Sequence, residues 1–314
     1  MPRKVRILTT SFHGPQERSV AGNRALAAAY VEAAGAERAD LVCLPESLLD
    51  VGLPRHELPV AEPITGPTFD ALAVLARRHA VWVVAPFCVR TAAGTVENSA
   101  VVIDRQGRLA GTYVKVHPTI GECEQRGITP GHEAAVIETD FGRLGLAICY
   151  DIGWPAHWED LARRGAELVV WPSAYDGGFP LQAYAWLHAY YVVSSVRTEH
   201  SKVIDPTGRV LASTSRWHRL AATTIDLERE IFHIDDQVAK LDRLHRELGH
   251  RVNVEALTEE HVFTLESNDP TWPVARLKEH YGLENIRDYH ARAASVQDAW
   301  RAGALTAEAA GVGR

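Results

Sequence analysis

The stretch Leu144-Gly-Leu-Ala-Ile-Cys149-Tyr-Asp151 decides the fold. Its unbroken run of apolar and small residues, ended by a thiol, reads as a strand covered on both faces. Two other runs have the same character: Leu41-Val-Cys-Leu-Pro-Glu46 ends on an acid, and Gly111-Thr-Tyr-Val-Lys115-Val-His117 carries a cation. Strand-like runs recur at Val5–Thr9, Val81–Pro86, Ala100–Asp104, Leu168–Trp171 and Tyr191–Val196. Helix-like stretches lie between many of them, at about Glu17–Ala34, Thr68–His79, Ala156–Arg164 and Leu181–Ala189. Strands alternating with helices predict an α/β fold.

Two turns echo one another. Ile103-Asp-Arg-Gln-Gly107-Arg-Leu and Ile204-Asp-Pro-Thr-Gly208-Arg-Val-Leu both read as hairpins with glycine at the turn. Each follows a β-α-β stretch, so the halves form a pseudo-repeat, with two sheets face to face and helices outside. One domain over residues 1–226 is more economical than two, because no Pro/Ser/Gly-rich linker separates the halves. After Asp226 the pattern turns amphipathic: Val238, Leu241, Leu244 and Leu248 share a helical face, as do Tyr289, Ala293, Val296 and Trp300. Residues 227–314 are therefore expected to form a helical C-terminal extension, packed on the domain or on a partner subunit.

Composition narrows the class. Apolar content of 46%, charged content of 23% and a net charge of −7 describe a soluble globular protein with no basic face for nucleic acid. The N-terminus lacks the apolar stretch of a signal peptide and no run is long enough to span a membrane, so a cytoplasmic location is expected. The four cysteines form no CxxC pair and the fifteen histidines no zinc pattern, which leaves no expected metal.

Singly, Glu46 reads as a solvated loop acid, Lys115 as a snorkelling strand lysine and Cys149 as an inert core thiol. Together, a base, a cation and a thiol at the ends of neighbouring strands are what cysteine acyl transfer requires.

Leu44-Pro-Glu46, Tyr113-Val-Lys115-Val-His117 and Gly145-Leu-Ala-Ile-Cys149-Tyr-Asp151 resemble, in order and separation, the three catalytic motifs of the nitrilase (carbon–nitrogen hydrolase) superfamily. Glu97-Asn-Ser-Ala-Val-Val-Ile-Asp104, Pro130-Gly131 and Trp171-Pro-Ser-Ala174 add to the likeness, which spans about Arg6 to Ile225. The resemblance implies a four-layer αββα sandwich and cofactor-independent hydrolysis of a small amide or carbamoyl compound. Cys149 is then the nucleophile of a thioester acyl-enzyme, Glu46 the general base and acid, and Lys115 the oxyanion partner, aided by the Tyr150 backbone N–H. Partial burial is expected to raise the proton affinity of Glu46. Glu124 fits the register of a second glutamate in an E-x5-P-G segment; neighbouring Glu122 does not, unless the loop is shifted. Trp154, Ser173 and Tyr175 are the remaining pocket residues that the resemblance suggests, and it also implies a homodimer or larger assembly.

The departures concern the pocket. Relatives that grip a substrate carboxylate with two arginines carry them where this chain has Ile152 and Gly153. Ala156 and Leu187 replace acids common in amidase-type relatives. Cys149-Tyr-Asp151 in place of Cys-Trp-Glu favours amides over nitriles. The alternatives are a nitrilase and an inactive relative that serves as a binding protein.

Overall fold

The computed structural model describes residues 3–14, 19–53 and 59–303. By their contacts they separate into two compact units, one over Lys4–Leu227 and one from Glu228 onward that also includes Arg3. In the first half of the first unit come β1 (Lys4–Thr10), α1 (Val20–Ala36), β2 (Leu41–Cys43), β3 (Ala61–Glu62), α2 (Pro67–His79), β4 (Trp82–Arg90), β5 (Val96–Ile103) and β6 (Leu109–Val114). The short α3 (Ile120–Glu124) leads into β7 (Ala135–Glu138), β8 (Arg143–Leu146), α4 (Pro155–Arg163), β9 (Leu168–Ser173) and α5 (Phe179–His188). β10 (Tyr191–Val196), β11 (Lys202–Ile204), β12 (Val210–Ser213) and β13 (Leu220–Asp226) close the unit. The expected start of the first helix at Glu17 lies outside the described residues.

The strands form two sheets, ordered β13-β1-β2-β4-β5-β6, with β3 beside β4, and β12-β11-β10-β9-β8-β7. The halves repeat element by element. β1-β2-β4 and β8-β9-β10 are parallel, each trio continues into an antiparallel hairpin, and each begins beside an antiparallel strand, β13 or β7. The hairpin turns match in detail. The Asp104 carboxylate accepts from the Gln106 and Arg108 N–H groups, and that of Asp205 from Thr207 and Arg209. Gly107 and Gly208 take φ of +75° and +81°, where a side chain is strained. A Cβ there would also stand 2.4 Å from the Ala73 carbonyl oxygen of α2 or 3.0 Å from that of Gln182 in α5.

Continuous apolar runs fit because both faces of each strand are covered. Val5, Ile7, Leu41, Trp82, Val84 and Val102 of the first sheet meet Leu144, Leu146, Leu168, Val170, Tyr191 and Val193 of the second in one buried cluster. The alternate residues Leu8, Val42, Val83 and Ala85 pack under Ala27, Tyr30, Val31, Leu72 and Leu75 of α1 and α2. On the far side Val169, Trp171 and Val192 pack under Trp158, Leu161, Leu181 and Tyr184 of α4 and α5. The result is the expected αββα order of layers.

The second unit contains β14 (Glu230–His233), α6 (Val238–Leu248), β15 (Val252–Leu257), β16 (Val262–Ser267), α7 (Val274–Tyr281) and α8 (Ile286–Arg301). Its helices were expected; its antiparallel sheet, ordered β14-β16-β15, was not. Phe232, Phe263, Leu265, Leu244, Leu248, Val274 and Leu277 give this unit an apolar core of its own. Along β16 both faces are buried, which hides the two-residue alternation by which a strand is recognised. Among the described residues no helix is long and apolar enough to cross a membrane.

Candidate active site

Cys149 follows β8 at the point where the chain leaves the sheet. It has φ of +46° and opens a 3-10 turn over Cys149–Gly153. A left-handed non-glycine residue needs outside support, and here the support is polar. Asp151, fully buried, accepts from the Ile148 N–H at 2.8 Å, the Tyr113 hydroxyl at 2.7 Å, and both the backbone N–H and Nδ1 of His117 at 2.9 Å. The indole of Trp171 donates to the Cys149 carbonyl at 2.9 Å and that of Trp158 to the Asp151 carbonyl at 3.1 Å. Asp151 thus ties the turn of the thiol to the strand of Lys115.

Lys115 is 1% exposed. Its Nζ donates to Glu46 Oε1 at 2.9 Å and to Glu122 Oε1 and Oε2 at 3.0 and 2.8 Å. Asn98 Nδ2 joins the same two acids, at 2.8 Å to Glu46 and 2.9 Å to Glu122. Lys115 also has its backbone N–H on the Asn98 carbonyl at 2.9 Å, and its own carbonyl accepts from Gly131 at 2.8 Å. At Gly131 a Cβ would lie 2.3 Å from the Val114 carbonyl oxygen, which explains a glycine after Pro130.

The register of the second glutamate is corrected here. Glu122, not Glu124, meets the ammonium, and Glu124 is exposed. The local reason is a capping box at the start of α3. The Thr119 hydroxyl accepts from the Glu122 N–H at 3.2 Å, while Glu122 Oε2 accepts from the Thr119 N–H at 2.8 Å. That return bond aims the carboxylate back toward Lys115.

The expectation for Glu46 is also reversed. Burial favours its neutral form, but the ammonium of Lys115, the guanidinium of Arg197 and the Asn98 amide outweigh it and hold the carboxyl down at about 2. Burial opposes charge on Lys115 too, yet Glu46, a Cys149 thiolate and Glu122 raise it above its ordinary value. The Cys149 thiol is pushed up to about 12 by burial and the Glu46 carboxylate, against the opposing pull of Lys115, the Ala174 N–H and the Ser173 hydroxyl. The resting site therefore holds a thiol, a carboxylate and an ammonium. Moving the proton from sulfur to Glu46 removes the repulsion that disfavoured the thiolate, and leaves that thiolate beside Lys115.

The pocket residues divide. Ser173 is buried at the end of β9, with its hydroxyl toward the Cys149 sulfur and accepting from the Tyr175 N–H at 3.1 Å. The half-exposed Tyr175 packs edge-on to Trp171. Its hydroxyl is pushed up to about 12, first by burial and then by negative charge on Cys149 and Glu46. Tyr150 and Trp154 are both exposed and meet edge to face at 5.0 Å, while Trp154 stacks on His117 at 4.1 Å. Trp158 is core, stacked on Tyr184. Leu187 lies exposed on α5, so its departure from relatives alters a surface. Nothing in the sequence pattern singles out Asn98, Asp151 or Arg197 for a role in the site. The first two lay within quoted motifs; Arg197 lay in none.

The carbon–nitrogen hydrolase family pattern matches residues 8–231. The chain belongs to this family. A deaminated glutathione amidase from Synechocystis sp. is 30% identical over 229 residues, covering 63% of this chain and 84% of that protein. A hydrolase of Mycobacterium tuberculosis is 32% identical over 163 residues, and the chain spans only 58% of its length. Among solved structures, Saccharomyces cerevisiae Nit3, a member of branch 10 of the nitrilase superfamily, shares the fold with a TM-score of 0.63 at 21% identity, covering 79% of this chain and 95% of that one.

Proposed function

We propose that this carbon–nitrogen hydrolase family member cleaves the C–N bond of a small amide or carbamoyl compound through a Cys149 thioester. One observation carries the reading: a buried ammonium, fixed between two carboxylates, beside a thiol in a strained turn. Sulfur attacks the substrate carbon as its proton passes to Glu46. Lys115 and the Tyr150 N–H hold the oxyanion; that N–H lies in the first turn of a 3-10 segment, where backbone donors lack partners within the turn. Glu46 then protonates the departing ammonia or amine. In the second half it takes a proton from water, which attacks the thioester; the C–S bond breaks, the acid leaves, and Glu46 returns the proton to the Cys149 sulfur.

Release of ammonia or amine from matched amide, carbamoyl and nitrile panels tests the reading. Amide or carbamoyl turnover is expected, with an acyl adduct on the intact protein and loss of both in Cys149→Ala. Full activity in that variant overturns it, and turnover confined to nitriles makes the protein a nitrilase. A homodimer or larger assembly belongs to the same proposal; a monomer by light scattering at micromolar concentration removes that part.

A further inference from the structure

We propose that Arg197 is a specificity residue that selects substrates carrying a carboxylate in addition to the scissile amide. The inference deepens the hydrolase reading and rests on it for the identity of the reacting centre. Arg197 follows β10 directly, with its backbone N–H on the Ser173 carbonyl at 3.0 Å. It therefore leaves the sheet beside the residues that face the Cys149 sulfur. Its Nε donates to the Glu46 backbone carbonyl at 2.7 Å. The guanidinium is near enough to draw down the Glu46 carboxyl.

The charges around it are otherwise matched. Lys115 is held by Glu46 and Glu122, and Arg126 by Asp50 at 2.7 Å. Asp176, the acid of the loop after β9, is turned to the Thr198 hydroxyl and to His200. Arg197 has no acid within ion-pair distance among the described residues, and its two Nη groups have no acceptor there. A half-buried guanidinium fixed through Nε and open at both Nη groups presents the fork that a carboxylate accepts. Neither Ile152, which is buried, nor Gly153 offers a charge from the turn of the nucleophile. The cation that recognises an anionic substrate is supplied instead from the end of β10.

The probes are succinamate and its uncharged isostere 4-methylpentanamide, assayed for ammonia release. Wild type is expected to favour succinamate, and Arg197→Gln to lower the ratio of the two kcat/KM values by roughly 10- to 100-fold, with Arg197→Lys in between. No preference in wild type overturns the proposal. So does an equal loss for both substrates, which would make Arg197 a strut for Glu46. Calorimetric binding of succinamate to Cys149→Ala, with and without Arg197→Gln, separates this inference from the catalytic one. Arg197-dependent binding without turnover in the parent protein supports the anion site while removing the hydrolase reading. Turnover of both amides, with binding indifferent to Arg197, does the reverse.

Discussion

Replacing Glu122 by Gln removes one of the two charges that hold Lys115 while sparing the local fold. Gln also serves at the third position of a capping box, so the Thr119 N–H keeps an acceptor and α3 keeps its start. The ammonium, however, loses two of its three carboxylate contacts, those at 2.8 and 3.0 Å, and retains Glu46 at 2.9 Å. Stripping a buried charge of its partner costs about 3–5 kcal/mol. Because one carboxylate remains, the loss here should be that of charged hydrogen bonds, about 1–3 kcal/mol. The larger effect is on position: a displacement of about 1 Å costs on the order of 10²-fold in rate, so kcat should fall by roughly 10- to 100-fold. Glu124→Gln, at an exposed site, should shift stability by less than about 0.5 kcal/mol and leave kcat within twofold. Amide turnover and urea denaturation on the two variants decide the matter. If Glu124→Gln reproduces the loss and Glu122→Gln does not, the assignment of Glu122 is wrong.

Glu46→Gln should lower turnover by about 10²- to 10⁴-fold and yet quicken alkylation of Cys149 by iodoacetamide, because the carboxylate adds to burial in opposing the thiolate; slower alkylation would contradict the electrostatic account. The folded-state pKa of Glu46 is depressed from 4.5 to about 2, so its contribution is fully present above pH 4.5 and is lost as pH falls toward 2. It amounts to roughly 3 kcal/mol, and the stability gap between wild type and Glu46→Gln should narrow from pH 6 to pH 3 in urea titrations; a widening gap reverses the sign and the argument. Asn98→Ala removes the amide shared by Glu46 and Glu122 and should lower kcat about tenfold with little change in KM, whereas an unchanged kcat would make the amide incidental. Gly131→Ala should cost about 1–3 kcal/mol by pressing on the Val114 carbonyl next to Lys115, and a melting temperature equal to wild type would show that the strand yields there.

The layers were legible because burial on both faces writes itself into sequence as unbroken runs such as Leu144–Ile148, and the two Asp-x-x-Gly hairpins announced the repeat. Glu46, Lys115 and Cys149 were legible as a set through their order. Counting back from Pro130-Gly131 selects Glu124, whereas the acid that meets Lys115 is aimed from the other side, by Thr119. The proton affinity of Glu46 was misjudged because burial can be guessed from neighbours in sequence, but Lys115 and Arg197 approach from strands far along the chain. The sheet of the second unit escaped because Val262–Ser267 is buried on both faces and its partners lie on either side of a helix.

The pairing of β1 with β13 has a consequence for biosynthesis. Thr10 lies opposite Leu220 and Lys4 opposite Asp226, so the open edge of the first strand waits for a partner translated more than two hundred residues later. At about 5–20 residues per second, that wait lasts roughly 10–40 s on the ribosome. A nascent chain halted before Leu220 has all three residues of the proposed triad but leaves an apolar strand edge exposed to its neighbours. The step most exposed to aggregation is thus the arrival of the last strand, well after the chemistry has been encoded.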